Sequence, residues 1–412
     1  MKTRSLIVLA VVAVVVAVVA VFAVQDRESG TRHRVVGERL FPDLLENVNS
    51  VVSMEVTQGE DRYTIVRDGD VWGLAEKGGY PAQFDMVKKT ILGIAEVALV
   101  EAKTSKRDRL GELYLAEPDA EEGPGTRIAL RGEDGAELAA MILGKAARGG
   151  GGRRYVRRAG EDQAWLADVA VDIGAQPMDW VDKTLTKLRP DRLRRVSISH
   201  GDGDDVLLEK ADKENANFTV PVLPEGAKVK APMEINGIVS ALSFLNVEDV
   251  APEADIAFEG ETLVTTRYET FDGLVITLTS VTVGDIVWAR FEAAYDAALA
   301  DPVEEAPVED EAEAEDTVEL PPGMEEITPL SAEDVQAEAA ALNARTAGWA
   351  FALPNFRADH LRKKLTAMIE YPDAEPEFAD EVAPDASGTI TLPPNITIED
   401  LLAGERPGAV QE

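Results

Sequence analysis

Residues 51–74 read VVSMEVTQGEDRYTIVRDGDVWGL, and the fold is decided there. Val51 to Val56 and Arg62 to Val66 alternate or carry β-branched side chains, as strands with one covered face do. Arg67-Asp68-Gly69-Asp70 is a turn signal, because Asp and Gly accept the backbone angles of a tight reversal. Val71-Trp72-Gly73-Leu74 predicts a third short strand. Pro81 then opens an amphipathic stretch. Phe84, Val87, Ile91, Ile94 and Val97 recur at three- and four-residue spacing and predict a helix over 83–98.

The same order of elements returns further on. Val196-Ser197-Ile198 aligns with Val52-Ser53-Met54, and Leu207-Leu208-Glu209-Lys210 with the strand ending at Arg67. Asn217-Phe218-Thr219-Val220 stands where Val71 to Leu74 stood. Pro232 precedes a helix carrying Ile235, Ile238, Val239, Leu242 and Leu245 on one face. A third, weaker occurrence is read in Gly348-Trp349-Ala350-Phe351 as a strand and Phe356 to Ile369 as a helix. Between the first two units, Thr126–Leu130, Leu138–Leu143, Arg154–Val156 and Ala164–Leu166 predict an antiparallel meander. Leu263–Tyr268, Leu274–Val281 and Ile286–Phe291 predict another. The expected fold class is α+β: repeated units of antiparallel strands followed by a helix, which covers the apolar sheet face.

Upstream, Lys2 and Arg4 precede Leu6 to Val24, a run of 19 residues all Leu, Ile, Val, Ala or Phe. At a rise of about 1.5 Å per residue such a run matches the hydrocarbon thickness, and helix is the backbone choice that satisfies itself in lipid. One N-terminal transmembrane helix is therefore expected, spanning the bilayer through residues 6–24. The basic residues stay cytoplasmic and the bulk of the chain lies outside. A cleaved signal peptide, with Val21-Phe22-Ala23 at the cut, is the competing reading, though signal apolar cores are usually shorter. The expected organisation is an anchor over 1–25, a stalk over 26–47 and a first α+β domain over 48–190. A second α+β domain spans 191–300, an acidic disordered insertion 301–330, a strand-helix completing a third unit 331–371, and a flexible acidic tail 372–412.

The 412 residues carry 41 Lys and Arg against 76 Asp and Glu, a net charge of −35. That balance argues against nucleic acid, whose phosphates need clustered cations. Asp301 to Glu319 alone holds ten acids and no base, too little apolar area to fold against its own repulsion. Without Cys there is no disulfide and no thiolate site, and His33, His200 and His360 form no ligand motif. No Gly-x-Ser-x-Gly elbow is present. The glycines of Arg148-Gly149-Gly150-Gly151-Gly152-Arg153-Arg154 lead into a strand rather than a helix, so a hairpin tip is expected and not a phosphate loop. Lys145, Arg148, Arg153, Arg154, Arg157 and Arg158 still make a local basic patch that a lipid headgroup, an acidic partner or the acidic insertion would fit; a solvated turn is the plainer reading. His200-Gly201-Asp202-Gly203-Asp204-Asp205 resembles part of a calcium loop but lacks the EF-hand spacing and terminal Glu, so a turn is expected. Trp72, Trp165, Trp180, Trp288 and Trp349 read as core anchors rather than a stacking platform. No catalytic, cofactor-binding or metal-ligating residue is assigned, and no cofactor.

Several stretches, taken in order, resemble a bacterial family described as domain of unknown function 4340. They are Arg67-Asp68-Gly69-Asp70-Val71-Trp72 followed by Tyr80-Pro81-Ala82, then Gly152-Arg153-Arg154-Tyr155-Val156, then Asp179-Trp180-Val181-Asp182-Lys183-Thr184-Leu185. The second strand-helix unit and Gly348-Trp349 to Leu353 also fit, so the resemblance runs from about Val48 to Tyr371. It implies a single-span protein of the bacterial inner membrane with a periplasmic body. It further implies an auxiliary role in ABC-type transport systems similar to the gliding-motility type, beside permease and ATPase subunits. The acidic insertion and tail are not part of the family pattern, and the family supplies no catalytic residue. The expectation is a non-enzymatic, membrane-anchored accessory or scaffold protein. The alternative is an extracytoplasmic ligand-binding module for envelope polysaccharide or lipid, with a pocket between repeats lined by aromatics. A hydrolase with paired carboxylates comes last.

Overall fold

The computed structural model describes residues 37–149, 151–171, 173–215, 217–301 and 330–371. The anchor, half of the stalk, residues 302–329 of the acidic insertion and the tail expected from the sequence lie outside these residues. Among the described residues no helix is long and apolar enough to cross a membrane. The architecture is α+β and its strand pairings are antiparallel.

The opening stretch forms β1 (Val51–Gln58), β2 (Asp61–Asp68) and β3 (Val71–Leu74). A short β4 (Tyr80–Pro81) follows, then α1 (Phe84–Ala95), which buries Val87, Ile91 and Ile94. Next come β5 (Ala98–Ala102), β6 (Thr126–Gly132), β7 (Glu137–Ala146), β8 (Arg153–Arg158) and β9 (Trp165–Asp168). These nine strands make one sheet in the order β4-β3-β2-β1-β6-β7-β8-β9-β5. Helix α1 is shorter than the expected 83–98, because Ala98 is already committed to the sheet edge through its pairing with Asp168.

The second half begins with β10 (Thr184–Thr186), β11 (Leu193–His200), β12 (Val206–Glu209), β13 (Lys228–Val229) and α2 (Pro232–Val239). It continues with β14 (Leu245–Asn246), β15 (Asp249–Pro252), β16 (Val264–Thr270), β17 (Leu274–Val283) and β18 (Ile286–Tyr295). After the undescribed segment come α3 (Ala332–Thr346), β19 (Trp349–Leu353), α4 (Asn355–Leu361), α5 (Leu365–Met368) and β20 (Ile369–Glu370). The second sheet runs β12-β11-β16-β17-β18-β19-β15, and β10–β14 and β13–β20 form two small ladders.

The two sheets are wired alike. Each places its first hairpin on one side and its meander on the other, and closes the far edge with the strand after the helix: β2-β1-β6-β7-β8-β9-β5 against β12-β11-β16-β17-β18-β19-β15. The two expected meanders are parts of the same sheets as the strand-helix units. β1 and β11 also share an irregularity. Pairing slips between Val51 and Ser53 against β6, and between Leu193 and Arg195 against β16. Hydrogen bonding thus equates Met54-Glu55-Val56 with Val196-Ser197-Ile198, two residues from the alignment read in the sequence. A slip of two keeps every side chain on its own face, so alternation alone does not detect it. Met54, Val56, Val196 and Ile198 are all buried.

The third unit expected over 331–371 does not stand as a separate sheet. β19 hydrogen-bonds between β18 and β15 and so completes the second one. The helix expected from Phe356 to Ile369 breaks at Arg362, and Ile369 leaves it to pair with Val229. One connected hydrophobic core extends through both sheets, from Leu40 and Met54 to Phe351 and Met368. Trp72, Trp180 and Trp288 are buried in the structure, and Trp165 and Trp349 are half-buried.

Candidate functional site

The segment Asp179 to Leu185 connects the sheets and builds their joint. A 3-10 turn at Pro177–Trp180 drives the Trp180 indole into the core, where it is fully buried. Its Nε1–H donates to the Tyr63 hydroxyl at 2.9 Å, and that hydroxyl donates to the Gly174 carbonyl at 2.5 Å. Burial pushes the Tyr63 phenol up to about 12, so the chain of donors stays neutral and intact at physiological pH. The Trp180 carbonyl accepts from the Gln83 amide, which fixes the start of α1. Asp179 is held below the usual carboxylate range by the Lys183 ammonium, 2.9 Å away.

The turn after β3 reaches across to the second sheet. The Lys77 ammonium lies 2.6 Å from Asp249 at the start of β15. Tyr80 meets Trp349 edge-on at 4.9 Å and Phe351 at 5.8 Å, geometries that aromatic quadrupoles favour. Gly78 has φ of +65°, and a Cβ there would lie 2.5 Å from Cγ of Pro252. Glycine is required at that contact on both counts.

Beside this joint lies a groove of about 280 Å³. Leu185, Leu188, Leu274, Ile276 and Leu342 line it, and Asp182, Lys187, Glu338 and Arg345 supply its charges. Arg345 donates to the Thr184 carbonyl at 2.7 Å and lies 3.5 Å from Asp182. Nearby, the largely buried Arg192 guanidinium forks between Asp272 and Glu338, each at 2.8 Å, and ties β11, the turn after β16 and α3 together. Burial alone would raise Asp272, but its bonds from Arg192 and Thr270 prevail and hold it below its ordinary value. Linker, sheet and helix thus present an aliphatic floor with charges around it.

Other clefts lie away from the joint. One of about 640 Å³ centres on Glu55, which is faced by Arg127 and Arg131 at 3.4 Å each and by Arg62 at 3.9 Å. Glu60 and Asp119 line the same cleft, so its charges balance. The groove at the joint has no aromatic lining, unlike the pocket expected of a ligand-binding module. The carboxylates with a resolved shift (Asp179, Asp202, Glu234, Asp272 and Asp334) all move down, toward permanent charge. Among the described residues no group of three or more His, Asp or Glu is placed to hold a metal ion.

The features weighed in the sequence land as follows. The Gly-rich run is the tip between β7 and β8. Four of its basic residues have partners within the chain: Arg153 pairs with Asp168 at 2.9 Å, and Arg154 donates to the Gly144 carbonyl at 2.8 Å. Arg157 pairs with Glu117 at 2.6 Å, and Arg158 donates to the Leu40 carbonyl at 2.8 Å. The turn from His200 to Asp205 joins β11 to β12 and clasps the C-terminal strap. His200 Nε2 lies 3.1 Å from the Arg362 carbonyl, Lys364 pairs with Asp202, and the Thr366 hydroxyl donates to Asp204 at 2.5 Å. The joint's Arg192, Glu338 and Arg345 were not read from the sequence. Their signal is the Ser331-to-Asp334 capping box ahead of Val335, Ala339 and Leu342, which marks the helix that carries two of them.

No curated protein and no solved structure matches the chain. Residues 72–261, from β3 through the joint to the threshold of β16, match the family model described as Domain of unknown function (DUF4340). That match supports the resemblance to this family read from the sequence.

Proposed function

We propose that this is a membrane-anchored, non-enzymatic accessory protein of an ABC-type transport complex. The run Leu6–Val24 spans the bacterial inner membrane, and the two-sheet body is presented in the periplasm. The observation that carries the reading is the joint. Lys77–Asp249, Tyr80 on Trp349, and Trp180 with Tyr63 lock two similarly wired sheets together and leave an aliphatic groove with charges at the seam. A tethered body needs only modest contacts, because the anchor raises its effective concentration at the permease. The alternative, a module binding envelope polysaccharide or lipid, draws less support, because the groove at the joint has no aromatic side chain in its lining.

The test is recovery of the full chain from membranes in mild detergent. A permease and an ATPase should accompany it, and Ala341→Arg, which fills the groove, should reduce their yield. Recovery of the chain alone would count against the proposal.

A further inference from the structure

The internal joint is head-to-tail: a turn of the first sheet sits on the far edge of the second. Each face therefore has a counterpart that the joint does not use. The turn face of the first half is Lys77, Gly78 and Tyr80, three residues ahead of α1. By the same spacing ahead of α2, its counterpart is Glu225, Gly226 and Lys228. Gly226 shares the left-handed backbone of Gly78, at φ +79° against +65°. This second turn is exposed, with Val222 beside it 69% exposed.

The receiving face of the second half is Asp249, Pro252 and Trp349. Strand pairing sets Pro252 opposite Trp349, and Ala102 opposite Trp165. The unused receiving face is therefore Ala102 and half-buried Trp165 at the β5 edge, with exposed Arg39 bridged to Ala98 where Asp249 would stand.

The two unused faces are complementary with the signs exchanged. Where Lys77 meets Asp249 inside the chain, Glu225 would meet Arg39. Where Tyr80 meets Trp349, Lys228 would meet Trp165 as a cation on an indole. We infer that a second copy of this chain docks its 222–228 turn on the Trp165 face, repeating the internal joint between molecules. Such a contact is heterologous, so it joins copies head-to-tail into a row or a ring. The inference does not depend on a transporter partner.

The chain has no Cys, so introduced thiols report cleanly. The full chain carrying Ala102→Cys and Ala227→Cys, oxidised mildly in native membranes, should give a ladder of dimers and longer species. Each single variant should stay monomeric. Glu225→Arg should cut the cross-linked fraction about fivefold, and adding Arg39→Glu should restore it. Three results would overturn the inference. One is a dimer from Ala227→Cys alone, which means a two-fold contact. Another is no ladder although both thiols react with a maleimide. The last is both thiols shielded without a ladder, which means that residues 372–412 of the same chain cover the turn.

Discussion

Replacing Tyr63 by Phe removes one oxygen from the joint and leaves the ring volume unchanged. The hydroxyl accepts from the Trp180 indole and donates to the Gly174 carbonyl, at a residue that is only 2% exposed. Two buried polar groups lose their partner, and each such loss costs about 1–3 kcal/mol. Some relaxation toward water lowers the sum, so the expected destabilisation is about 2–3 kcal/mol. Trp180→Phe strands no donor and should cost about 1–2 kcal/mol for lost ring volume. In the double variant the indole N–H is gone, so the hydroxyl's absence matters less. The two effects should fall short of additivity by about 1 kcal/mol. Urea unfolding of the detergent-solubilised chain, followed by far-ultraviolet circular dichroism, reads the change as a shift of midpoint at constant slope. A loss below about 0.5 kcal/mol for Tyr63→Phe, or strict additivity, would refute the bonding scheme at the joint.

Asp272→Asn should destabilise at pH 7 and flatten the acid limb of stability. The native carboxyl titrates below its unfolded value, so its contribution is present at neutral pH and fades as pH falls through the carboxylate range toward the native value; midpoints from pH 7 to 3 measure this. Phe244 sits at φ +54° and is 66% exposed, so Phe244→Gly should raise the thermal midpoint, by about 1 kcal/mol of stability, in a calorimetric scan. Deleting residues 305–325 should leave the unfolding midpoint nearly unchanged if that acidic stretch adds no packing. Asp301 must be kept, because it pairs with Arg194 and its amide donates to the Phe271 carbonyl. Millimolar calcium should not raise the melting temperature, since Asp202 and Asp204 are already engaged by Lys364 and Thr366.

Much of the sheet architecture is legible from alternation and turns. The hairpin of β1 and β2, both meanders and the tip at Arg148–Arg154 all sit where local pattern puts them. Pairing partners are a different matter. Nothing in Leu263 to Tyr268 says that it lies beside β11, because register between distant strands is set by the whole core and not by local spacing. That is why β19 read as a third unit rather than as a strand of the second sheet. Helix α3 was missed because its apolar stripe is thin: Val335, Ala339 and Leu342 face inward and the rest is polar. The groove was invisible for the same reason, since Glu338 and Arg345 ride on that helix. Gly93 and Gly237 carried a quieter sign. A Cβ on either would clash, with the Ala170 carbonyl at 2.8 Å and the His360 ring at 2.4 Å, so each helix is pressed against the segment that follows its sheet. A glycine inside a helix costs about 1 kcal/mol and calls for such a close approach.

The most direct test of the account is which side of the membrane carries the two-sheet body. A thiol placed by Asp285→Cys, in the exposed turn between β17 and β18, can be probed with a membrane-impermeant maleimide in intact spheroplasts. Labelling before lysis, with the chain pelleting with membranes, is the predicted result. Labelling only after lysis, or a chain that stays in the soluble fraction, would contradict it.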